Sequence, residues 1–137
     1  MAELSDAETR TVVERHVELW NAGDKEAWIA HMKKFSPGGF AIEDPVGTPI
    51  KQGHDILNEI WDRSFNESVW KLSIDRLITG GNEVVVVLKD EGVTNGSPVV
   101  VYEIDLIRFG DDGSVHIRSF WDVPTGSVYG EWATASS

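Results

Sequence analysis

The chain has 137 residues, of which 41% are hydrophobic and 26% charged, and it contains no cysteine. That length fits one ordinary domain, which buries roughly two-thirds of its unfolded surface without a disulfide or metal staple. Without cysteine there are no disulfides, thiol nucleophiles or thiolate metal sites. The 23 acidic against 12 basic residues give a net charge of −11, which repels nucleic-acid phosphates and anionic lipid.

The first half of the chain has helical patterning. Ser5-Asp6-Ala7-Glu8 has capping-box spacing, and Val12, Val13, Leu19 and Trp20 follow at helical intervals. Asn21-Ala22-Gly23-Asp24 ends this helix and caps a second one over about Lys25 to Lys34. After the break at Ser36-Pro37-Gly38-Gly39, a short strand at Phe40–Glu43 runs into the turn-rich Asp44-Pro45-Val46-Gly47. A third helix is predicted near Asp55 to Phe65, with Ile56, Leu57, Ile60 and Trp61 facing inward. The second half has strand patterning over Trp70–Ile78, Glu83–Asp90, Val99–Phe109 and Val115–Asp122. The joining turns contain Gly80-Gly81-Asn82, Asn95-Gly96 and Asp112-Gly113, which are hairpin signals. Helices first and strands second predict an α+β domain in which three N-terminal helices close a curved, mostly antiparallel sheet into a cone. One such domain over residues 1–137 is expected, with 124–137 as a flexible Gly-, Ser- and Ala-rich tail. The polar N-terminus lacks the regions of a signal peptide, and the longest apolar runs are too short to span a bilayer. A cytoplasmic location is the resulting expectation.

The scattered His16, His31, His54 and His116 form no metal-ligand spacing, and no nucleotide-binding or serine-hydrolase motif is present. Asp105 shares one strand face with Val101, Glu103, Ile107 and Phe109, while Val100, Tyr102, Ile104 and Leu106 occupy the other. Apolar residues on both faces predict a strand buried on both, where an acid is paired or protonated. An edge-strand or solvent-facing Asp105 is the alternative reading. His16 lies on the apolar stripe of the first helix, where a hydrogen-bonded core histidine is the ordinary outcome. Asp44 stands at a turn that a carboxylate often simply caps. The six tryptophans fit a plain core or the flat walls of a ligand pocket.

Three segments taken together resemble bacterial ketosteroid isomerase in order and separation. They are Val-Val-Glu-Arg-His-Val-Glu-Leu-Trp-Asn-Ala-Gly-Asp at 12–24, Ile-Glu-Asp-Pro-Val-Gly at 42–47 and Glu-Ile-Asp-Leu-Ile-Arg-Phe at 103–109. The similarity extends from about residue 8 to residue 122, and its fold class, the NTF2-like cone, is shared with nuclear transport factor 2 and SnoaL-like polyketide cyclases. The resemblance implies that Asp44 is the general base, Asp105 a protonated oxyanion-hole acid and His16 the replacement of the family's oxyanion-hole tyrosine. It further implies a pocket walled by Trp20, Trp61, Trp121 and Glu103 that binds a small apolar ketone or steroid-like ligand, with no cofactor and with homodimer formation through the sheet. Trp61 stands where the family has a supporting tyrosine, and Glu103 where it has a proline. The stretch from Lys33 to Phe40 is a few residues longer than the family's. The implied activity is double-bond migration by proton transfer. Neighbouring readings are a cyclase, an epoxide hydrolase using Asp–Arg–Asp with Arg108 or Arg118, and a non-catalytic binding module.

Overall fold

The computed structural model describes residues 4–135. Helix α1 spans Asp6–Asn21 and opens on the full capping box between Ser5 and Glu8. Gly23, at φ +70°, turns the chain, and Asp24 caps α2 (Lys25–Lys34) by accepting from the Ala27 amide. Strand β1 (Gly39–Glu43), a two-residue strand β2 (Lys51–Gln52) and helix α3 (Asp55–Glu67) follow. Strands β3 (Lys71–Gly80), β4 (Glu83–Thr94), β5 (Ser97–Phe109) and β6 (Ser114–Phe120) form a meander, and α4 (Val128–Thr134) closes the order. Asn95 and Gly96, both at positive φ, make the β4–β5 turn that their dipeptide predicts.

The six strands pair in the order β2-β1-β6-β5-β4-β3. The sheet is mixed: β1 runs parallel to β6, and the other pairings are antiparallel. The four helices pack on this open sheet, so the α+β expectation holds. Curvature comes partly from a bulge in β3, where the register shifts between Ile74 and Arg76. The extra residue, Asp75, lets Leu72 and Ile74 before it and Leu77 after it all face the helices. The Asn21 side chain binds both the carbonyl and the amide of Leu72, fastening the end of α1 to β3. The core beneath is Val13, Val17, Trp20, Trp28, Leu57, Trp61, Val84, Val86 and Leu88, with their neighbours.

Two expectations need correction. β5 is not buried on both faces of this chain: Val100, Tyr102 (63% exposed) and Ile104 are open on the outer face, beside Ile78 and Phe120. The inner face is covered by helices, but among the described residues no element packs on the outer one. Within the stretch expected to be a loose tail, residues 128–134 form α4, whose Tyr129 and Ala133 are buried. Ser127 caps that helix at Gly130, and Lys51 Nζ donates to the Ala133 carbonyl while lying over the Trp132 ring. Composition hides these anchors because each is a single side chain among small residues. Residues 136 and 137 of the expected tail lie outside the described residues. Among the described residues no helix is long and apolar enough to cross a membrane.

Candidate active site

Helices α1 to α4 and the inner face of the sheet enclose a cavity of about 120 Å³. Trp20 and Trp28 line it from α1 and α2, Ile60 and Ser64 from α3, and Phe40 and Ile42 from β1. Into this apolar shell point Asp44, Asp90, Glu103 and Asp105, together with His16 and Tyr129.

Asp44 directly follows β1, where the chain leaves the sheet. Its two carboxylate oxygens each accept a hydrogen bond, one from the Trp121 indole and one from the Tyr129 hydroxyl. Indole is a donor only, so this carboxyl is built to be held as an acceptor. Burial raises its pKa on balance, while the two donors and the positive charge of Lys51 pull it part of the way back down. The negative charge of Asp44 in turn raises Asp105, Asp90 and Glu103. Asp44 is therefore the carboxyl of this group that ionises first. Tyr129 is held well above the usual phenol range, chiefly by burial and then by the Asp44 charge, and so stays a donor.

Asp105 is buried on β5 and accepts from the Ser119 hydroxyl on β6 at 2.6 Å. With one donor instead of two, it cannot offset its desolvation, and the Asp44 charge adds to it; its pKa rises to about 7. Ser119 also accepts the Val46 amide on its carbonyl, at 2.7 Å. That second bond fastens the turn that carries Asp44. Farther along the wall, Asp90 of β4 and Glu103 of β5 are hydrogen-bonded to each other. Burial is the main cause that lifts Asp90 to about 8 and Glu103 well above the carboxylate range.

His16 on α1 accepts from the Trp28 indole through Nδ1, at 2.8 Å. Burial, aided by His31, lowers its pKa to about 4. The imidazole is thus neutral near pH 7, and with Nδ1 accepting, its proton sits on Nε2 as a donor. One ring thus satisfies a core hydrogen bond and also lines the cavity.

Of the residues singled out from sequence, Asp44, Asp105, His16, Trp20, Trp121 and Glu103 all line one cavity. Trp61 does not line it. Its ring is buried in the core, stacked on Phe65 at 4.2 Å and edge-on to Trp20, because α3 turns that side chain toward α1 and α2. Arg108 and Arg118 are also absent from the lining, and Arg118 pairs with Glu43 instead. Sequence reading missed Tyr129, Trp28 and Asp90. Asp90 was detectable, since it continues the two-residue alternation of Val84, Val86 and Leu88 into the cavity. Tyr129 gave no periodic signal. Among the described residues, no group of three histidine, aspartate or glutamate side chains is arranged to hold a metal ion.

The SnoaL-like domain family model matches residues 13–117, and the chain belongs to that family, within the NTF2-like fold. No curated protein sequence matches it. Among solved structures, the chain is similar to SalBIII, an epoxide hydrolase/cyclase-like enzyme of pyran ring formation in the polyether salinomycin. The TM-score is 0.72 at 23% identity, covering 88% of this chain and 95% of that one. A SnoaL-like polyketide cyclase from Jannaschia Sp. CCS1 gives 0.68 at 20% identity, covering 89% and 92%. A computationally designed 17-OHP binder gives 0.67 at 15% identity, covering 82% and 90%. At these identities the likeness is one of fold.

Proposed function

We propose that this cavity catalyses cofactor-independent proton transfer within a small, largely apolar ketone. The observation that carries the reading is the pairing, in one apolar cavity, of an Asp44 carboxyl held by two donors with a buried Asp105 whose pKa is raised to about 7. Asp44 takes a proton from the carbon α to the carbonyl, and the electron pair moves onto the carbonyl oxygen. Asp105 O–H and His16 Nε2–H donate to the resulting enolate oxygen, which stabilises charge where it develops. Asp44 then returns the same proton two carbons farther on, so that a β,γ double bond becomes conjugated and no atom is gained or lost. Isomerisation of a steroid Δ5-3-ketone is the concrete form of this reaction.

A second reading, ring closure by attack of an internal hydroxyl on an epoxide, is favoured by the protonated acids facing Asp44. Here Asp44 takes the hydroxyl proton, the new C–O bond forms as the epoxide C–O bond breaks, and Asp105 gives its proton to the departing oxygen. The lack of an arginine in the lining speaks against an Asp–Arg–Asp relay. In both readings the open outer face around Tyr102 and Ile104 supports a homodimer; the cytoplasmic setting rests on the cysteine-free composition.

The test follows conjugated-enone absorbance from a Δ5-3-ketosteroid, and cyclisation of an epoxy alcohol, on the native protein and Asp44→Asn. Enone formation that falls by about 10²- to 10⁴-fold in the variant is the expected result for loss of a general base. Conversion of the epoxy alcohol alone selects the second reading. Conversion of neither, with ligand still bound, makes the protein a binding module.

A further inference from the structure

The far end of the cavity has an unmet hydrogen-bonding requirement. Asp90 and Glu103 come from adjacent strands, with Asp90 opposite Val101 and Glu103 opposite Leu88, so their carboxyls meet diagonally on the inner face. Glu103 donates to Asp90, yet Asp90 Oδ1 is buried with no partner. On α3, Glu67 uses Oε1 to accept from the Val128 amide, while its Oε2 is likewise buried and unpartnered. Ser64, nearby in the lining, already donates its hydroxyl to the Ile60 carbonyl. The unpartnered atoms are both carboxyl oxygens, and a buried polar oxygen left without a partner, whether it accepts or carries a proton to donate, is costly. The surroundings are apolar, with Trp70, Leu72 and Val101 in the wall. A neutral donor suits such a site better than a cation, which would have to shed its water.

The spacing is informative as well. Asp105 pairs with Val86, and Asp90 lies four residues beyond Val86 on β4, about 13 Å of strand. A rigid ligand whose carbonyl sits at Asp105 would therefore present its opposite end to Asp90.

We propose that Asp90 and Glu103 form a second polar station that selects, among small apolar ketones, those carrying a hydroxyl at the end remote from the carbonyl. The hydroxyl, which can both donate and accept, pairs with Asp90 Oδ1 and takes the place of the missing partner. This deepens the ketone reading above and rests on it for the placement of the carbonyl at Asp105, but its readout is binding instead of turnover.

Quenching of tryptophan fluorescence reports occupancy, because Trp20, Trp28, Trp70 and Trp121 all line the cavity. The probes are testosterone, a ketone with a remote hydroxyl, and androst-4-en-3-one, which lacks it. In the native protein the hydroxy ketone should bind about tenfold more tightly, the value of one well-made buried hydrogen bond. In Asp90→Leu the two affinities should converge to within about twofold, the deoxy ketone binding no worse than before. Asp90→Asn, which keeps an acceptor oxygen and the shape of the wall, should retain a preference, and it serves if the leucine variant does not fold. Equal affinities in the native protein, a preference that survives Asp90→Leu, or no binding of either probe overturns the proposal. So does tighter binding of the corresponding remote amine, which would make the station a cation site. A tenfold preference without any enone formation would sink the isomerase reading and leave this one standing.

Discussion

At the Asp44 end of the cavity, the polar side chains come from distant parts of the chain: Trp121 and Tyr129 lie 77 and 85 positions from the carboxyl they hold. At the Asp90 end, two carboxyls come from neighbouring strands of one hairpin and have chiefly each other. The same functional group is shifted upward in both places, but to different extents. Two donors and Lys51 partly offset the desolvation of Asp44, whereas Asp90 and Glu103, with fewer donors and like charges nearby, are pushed higher. Burial alone does not decide the state of a buried acid; the number of donors aimed at it does.

Asp105 sits between the two ends, and after Asp44→Asn its substitution should have the largest effect. Asp105→Leu removes the donor to the developing oxyanion and should cost about 10²- to 10³-fold in kcat, while Asp105→Asn, which still donates, should cost less. Because native Asp105 loses its proton near pH 7, kcat/KM in the native protein should fall as pH rises through about 7, and Asp105→Asn should lack that descending limb. An unchanged limb would show that another group sets it. At the far end, a Cβ on Gly92 would stand 2.4 Å from the Trp70 ring. Gly92→Ala should therefore displace that wall and lower stability by about 2 kcal/mol in urea unfolding.

At the near end, Tyr129→Phe takes one donor from Asp44 and should raise the carboxyl's pKa, moving the ascending limb of kcat/KM to higher pH. A loss of about 1 to 2 kcal/mol in stability should accompany it. The smallest effect separates the two ends by pH. Acids with raised pKa values bind more protons folded than unfolded, so stability falls as pH climbs. His16, with its lowered pKa, acts in the opposite sense, but only below about 6.5. Between pH 6.5 and 8 the acids alone remain, and unfolding free energy should fall with pH, by at most about 1.4 kcal/mol per unit for each acid that stays protonated. In Asp90→Asn, where one of these acids no longer titrates, the decline should be shallower. An equal slope in both proteins would remove Asp90 from the protonated group.

How legible each end was follows from how it is built. The capping box at Ser5, the break at Gly23 and the Asn95-Gly96 hairpin are local devices, and the elements they bound lie close to the predicted ranges. Glu103 and Asp105 were placed on one face by a period of two, and that face is the one that lines the cavity. The long-range contacts were beyond such reasoning. Nothing in a Gly- and Ser-rich stretch announces that Tyr129 will reach Asp44, or that Lys51 will hold the helix carrying it. Trp61 shows the converse failure: the resemblance supplied a position, but the ring packs into the aromatic core beside Phe65. The outer face of β5 was misjudged because apolar alternation reports a need for cover and not which molecule provides it.

Ser119 holds Asp105 through its hydroxyl and the turn of Asp44 through its carbonyl. Asp44 and Asp105 are thus referenced to a single residue instead of to each other. One hydroxyl and one carbonyl of β6 set the spacing of the two carboxyls, so a change at Ser119 would reach both at once.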